Sequence, residues 1–133
     1  MASLPDQPDG FYGDIAFDDE SIPLHVRRNE AMRMMLVALR ESKGRGITAA
    51  RSEAEYYSAK ADDTEELLNA GNSATSTNNK VKGQERTNRA LEAWRAEQIG
   101  YDNAQEAVQC FKKIASILND DIQREWEQAR RTT

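Results

Sequence analysis

The segment from Lys80 to Arg131 contains no proline, and its larger side chains recur at Leu91, Trp94, Tyr101, Val108, Phe111, Leu118, Ile122 and Trp126. Steps of three and four residues, or sums of them, put such positions on one helix face, so the stretch reads as an amphipathic helix or two collinear ones. A stripe this wide needs cover, and the remaining residues must supply it. Gly100 interrupts it. Read as a residue just past a helix end, Gly100 lets Asp102 cap a new helix with Gln105 three residues on. Read as a tolerated glycine, it costs ~1 kcal/mol and the helix continues. The stripe shifts phase between Tyr101 and Ala104, which favours a kink or break, with helices over about 81–98 and 103–130.

Upstream, Pro23 suits a first helical position because its missing N–H costs nothing there. A helix over about 24–42 follows, and Gly44 and Gly46 supply a stop and a turn. Leu24, Ala31, Met32, Met35, Leu36 and Leu39 form its expected core face, while Met34 and Val37 project from the other side, towards a neighbour. Three of the four methionines lie at positions 32, 34 and 35, which suits an adaptable contact surface. The next helix spans about 48–70 and ends at Gly71. Its seam of Ile47, Ala50, Ala54, Tyr57, Ala61, Thr64 and Leu68 alternates steps of three and four, the spacing of a coiled-coil seam. Residues 72–79 are polar and of low complexity, and read as a flexible connector.

Residues 1–23 hold all three prolines, so they read as an extended arm ahead of a single helical domain, 24–133. Its Phe11, Tyr12, Ile15 and Phe17 alternate with acids and need apolar cover. They fold back on the chain's own helices or dock on another subunit, ordering as they bind. Cys110 and Ile117, on the far flank of the C-terminal stripe, are further candidates for contact with a second chain. The expected fold is all-α: an elongated helical hairpin or three- to four-helix bundle with a long C-terminal helix and an N-terminal arm.

Charge and chemistry narrow the function. A formal net charge of −5 opposes unspecific attraction to phosphate backbones or anionic lipid. The local exception is a basic cluster, Lys80, Lys82, Arg86, Arg89 and Arg95, in which Glu85 and Glu92 interleave. It is a candidate nucleic-acid contact, although ion pairing is the commoner use of such a pattern. The chain has one histidine, His25, and one cysteine, Cys110, too few for a Cys/His metal site. His25 lacks an evident partner for base chemistry, and Cys110 lacks one for nucleophilic chemistry. The acidic groups at 18–20, 62–66 and 120–121 follow no metal-loop spacing, and the glycines form no phosphate-binding loop. No catalytic, cofactor or metal site is therefore expected. The longest apolar run, Met34 to Leu39, is far short of the ~20 residues that span a bilayer. The N-terminus has neither the basic nor the apolar region of an ordinary signal peptide. The expected location is the cytoplasm or a particle assembled there, with leaderless secretion the other route.

By elimination the chain reads as a non-enzymatic assembly component, of the kind found in virions and secretion machines. Such a protein self-associates or engages another protein. A regulatory binder of one target and a nucleic-acid-binding regulator are the alternatives.

Overall fold

A computed structural model describes residues 3–8 and 16–132. It contains three helices, α1 (Leu24–Asn69), α2 (Ala74–Val81) and α3 (Glu85–Thr132), and no strand among the described residues. The all-α expectation holds. The chain divides into two compact units, Met1–Ser42 with Asn103–Thr133, and Lys43–Asp102, each using part of α1 and part of α3.

In the first unit, Ala31, Met34 and Ala38 of α1 meet Ala107, Phe111, Ile114 and Leu118 of α3, and Phe17 closes the cluster from the N-terminal side. The Phe17 ring stands edge-on to Phe111, with centroids 6.0 Å apart at 68°, a favourable aromatic arrangement. Two backbone turns lead into α1: Asp19 N–H donates to Ala16 O, and Ile22 N–H donates to Asp19 O. The Asp19 carboxylate accepts from the Ser21 N–H at 2.9 Å and its hydroxyl at 2.6 Å. These bonds hold its pKa below the usual value, the hydroxyl contributing most. Arg27, buried on α1, ties the turn down by donating to Ile22 O at 2.9 Å and Phe17 O at 3.1 Å.

This arrangement corrects the expected face of α1. Arg27, Ala31, Met34, Ala38 and Ser42 are buried, whereas Met32, Leu36 and Leu39 are exposed. The buried positions follow the same three- and four-residue steps in another phase. Alanine at 31 and 38 lets the helix backbone come close, and the bulk is supplied by Phe111, Ile114 and Leu118 from the other side. Size alone was a poor guide to which face turns inward.

The second unit has a thinner interior: Ala49, Ala59 and Val81, with the polar Asp63, Thr77 and Thr87. Tyr56 stacks on Trp94 with centroids 5.4 Å apart. The expected stop after residue 42 and break near Gly100 are absent, because α1 continues through Gly44 and Gly46 and α3 through Gly100. A Cβ at Gly46 would lie 2.9 Å from Tyr101 Cε2, and one at Gly100 would lie 2.6 Å from Arg45 Nη1. These two glycines admit a neighbouring side chain against the helix rather than ending it. Gly44 meets nothing within 4 Å. Gly44→Ala should therefore raise stability by up to ~1 kcal/mol, the helix-propensity difference. Gly46→Ala should lose that gain to displacement of the Tyr101 ring. Equal midpoints for the two variants in urea unfolding would contradict the close approach.

Gly71 does end α1 as expected. Its φ of +92° is cheap for glycine. The turn satisfies two terminal carbonyls: Gly71 N–H donates to Leu68 O, and Asn72 N–H donates to Leu67 O. The expected flexible connector is largely helical. The Ser73 hydroxyl caps α2 by accepting from Ser76 N–H at 3.1 Å, and Thr77 and Val81 are buried.

Candidate protein-interaction surfaces

The residues expected to meet other chains are dispersed. Phe11, Tyr12 and Ile15 lie outside the described residues. Phe17 and Met34 are buried in the chain's own core, so for them the contact is internal. Val37 is exposed, and Cys110 and Ile117 are half-buried. The Cys110 thiol donates to the Asp6 carbonyl at 3.2 Å. Burial pushes its pKa up, Asp6 adds to the rise and Lys113 opposes it, so the reactive thiolate is disfavoured.

Two exposed apolar strips lie along α1 instead, one in each unit. In the first unit, Met32, Leu36 and Leu39 occur at steps of four and three residues, flanked by Val37 and by the exposed Arg33 and Arg40. Arg33 is ion-paired to Glu30 one turn back. In the second unit the strip is the seam read from the sequence. Ile47, Tyr57 and Leu68 are 50%, 54% and 47% exposed, and Ala50, Ala54 and Ala61 between them are exposed too. An open groove of about 510 Å3 runs beside Tyr57, Ala61, Thr64, Glu65 and Leu68. The heptad spacing identified these residues, but not the side on which they lie. The interior of α1 here is Ala49, Ala59 and Asp63, which carry no strong apolar signal.

The basic cluster is largely committed to acids and amides of the same unit. Arg86 donates to Glu66 at 2.9 Å and lies 3.5 Å from Asp63 and 3.9 Å from Asp62. The Glu66 bond, then the surrounding negative charge, raises its pKa further. Arg89 pairs with Glu85, and Lys80 donates to Asn72 Oδ1 at 2.6 Å. Lys82 and Arg95 are exposed and have no such partner among the described residues. Asp63 is the centre of this network. It is 3% exposed and accepts from the Thr87 hydroxyl at 2.6 Å and the Thr87 N–H at 3.2 Å. A carboxylate from α1 thereby satisfies an unpaired N–H in the first turn of α3, where the helix dipole also favours it. In the sequence Asp62, Asp63, Glu65 and Glu66 form one acidic group without metal-loop spacing. Only the tertiary position of Thr87 singles out Asp63.

No protein-family model, curated protein or solved structure matches this chain.

Exposed His25 starts α1 beside an open depression of about 300 Å3 that also touches Glu20, Arg27, Ile122, Glu125 and Trp126. Among the described residues, no group of three or more His, Cys, Asp or Glu is placed to hold a metal ion. None of the described helices is long and apolar enough to cross a membrane.

Proposed function

We propose that this chain is a non-enzymatic helical assembly protein, of the kind that builds virions or secretion machines, acting through self-association and contacts with other proteins. The observation that carries this reading is the pair of exposed apolar strips on α1, Met32, Leu36 and Leu39 in one unit and Ile47, Tyr57 and Leu68 in the other. Contiguous exposed apolar side chains rimmed by polar residues mark interaction sites. The chain's one histidine, His25, is exposed, and its side chain has no hydrogen-bond partner among the described residues. Base chemistry requires a positioned second group.

A regulatory binder is the second reading, and one feature favours it for the first unit. The flanks of Met32, Leu36 and Leu39 are basic, with Arg33 and Arg40. Such a face suits an acidic amphipathic helix of another protein better than its own copy, because like charges would then oppose one another. Nucleic-acid binding has less support, since Arg86 and Arg89 are already paired with carboxylates.

Mass in solution tests the leading reading. Light scattering across a hundredfold concentration range should show a species heavier than the 15.0 kDa chain that dissociates on dilution. A monomer throughout would remove self-association and leave the binder reading.

A further inference from the structure

The second unit leaves outside what a unit of its size normally turns inward. It spans residues 43–102, close to the ~60-residue size at which a domain buries too little surface to be comfortably stable alone. Yet Ile47, Tyr57 and Leu68 are about half exposed, and the interior holds mostly alanine and polar groups. In heptad terms, Ile47, Ala54, Ala61 and Leu68 occupy one seam position and Ala50, Tyr57 and Thr64 the other. We infer that this face is covered by the same face of a second copy of this chain, the two α1 helices running antiparallel. The inference rests on the self-association proposed above and names its surface.

The orientation follows from side-chain size. Antiparallel coiled coils place one seam position opposite the other, so each layer joins two different residues. Aligned so that Tyr57 meets the copy's Ala61, the same alignment sets Leu68 against the copy's Ala50 and Ala54 against its Thr64. Tyr57 and Leu68 then each have an alanine opposite, which keeps the helix separation even, as interdigitated layers require, while Ile47 lies past the end of the overlap, level with the copy's Gly71. A parallel pair would stack Tyr57 on Tyr57 between two layers of alanine on alanine, leaving space above and below.

The two orientations differ in the charges they bring together. Arg51 and Glu65 border the seam on one side, are exposed, and have no ion-pair partner among the described residues. The antiparallel alignment brings each against the other's copy, forming two symmetry-related pairs, as a two-fold interface demands. On the other border it brings Lys60 beside its own copy. The parallel alignment would instead pair Lys60 with Glu65 of the copy and leave Arg51 beside Gly46.

These differences make the inference testable by sedimentation or light scattering of the full chain. Ala61→Glu keeps a strong helix former at an exposed position, so circular dichroism should not change while self-association is lost. Arg51→Glu or Glu65→Arg alone should weaken the dimer by roughly tenfold, the scale of two exposed ion pairs turned repulsive. Combining them should restore it. Lys60→Gln should tighten the dimer by removing the like-charge contact. A dimer that survives Ala61→Glu overturns this surface but leaves the assembly reading standing. A dimer weakened by Lys60→Gln and not restored by the double charge reversal overturns the antiparallel orientation. A wild-type chain that stays monomeric overturns the surface and the self-association reading together.

Discussion

Replacing Phe111 with alanine should lower the unfolding free energy by about 3–5 kcal/mol, the usual cost of removing a buried aromatic ring. The ring is fully buried at the centre of the first unit, with Ile114 and Leu118 on its own helix and Ala31, Met34 and Ala38 on α1. Domains of this kind are stable by only ~5–15 kcal/mol, so the variant should melt many degrees lower. Leu118→Asp should be worse, because it forces an unpaired charge among apolar neighbours. Phe17→Ala offers a sharper check. A double-mutant cycle with Phe111→Ala should give a coupling of about 0.5–1.5 kcal/mol if the two rings meet edge to face. Additive losses would separate the N-terminal segment from this core.

The second large effect is expected at Asp63. Asp63→Ala should cost about 3 kcal/mol, because it removes charged hydrogen bonds and strands the buried donors of Thr87. Arg86 would also lose a neighbouring carboxylate, at 3.5 Å. Asp63→Asn keeps an acceptor without the charge and should recover about half of the loss. Glu66→Ala makes the contrast. Glu66 is bonded to the same Arg86, but both side chains are largely exposed, and exposed pairs contribute ~0–1 kcal/mol. Urea unfolding read by circular dichroism ranks the three. If Glu66→Ala is as damaging as Asp63→Ala, surface charge rather than the buried cap holds the start of α3.

Much of the helical architecture was legible because it depends on local chemistry. The proline at 23, the glycine at 71 and the period of Val108, Phe111, Ala115 and Leu118 act within a few residues of themselves. What could not be read depends on what arrives from elsewhere in the chain. Gly44, Gly46 and Gly100 are alike in sequence, and only the approach of Tyr101 and Arg45 makes the last two into contact points. Met34 was assigned outward because larger neighbours suggested another inner face. Its burial depends on Ala31 and Ala38 admitting Phe111. The three- and four-residue spacing from Ile47 to Leu68 is visible in the sequence, yet spacing carries no label saying which partner a face will meet. Asp63 looked like any helix acid until Thr87 was placed beside it.

Gly46 and Gly100 act as a pair of notches, each receiving a side chain from the residue next to the other notch. Sliding one helix along the other by a turn would empty both notches at once and drive Tyr101 and Arg45 into side chains that have Cβ atoms. Axial alignment in the second unit is thus written in missing atoms. Any insertion between Gly46 and the end of α1 must be matched, in whole turns, by one between the start of α3 and Gly100.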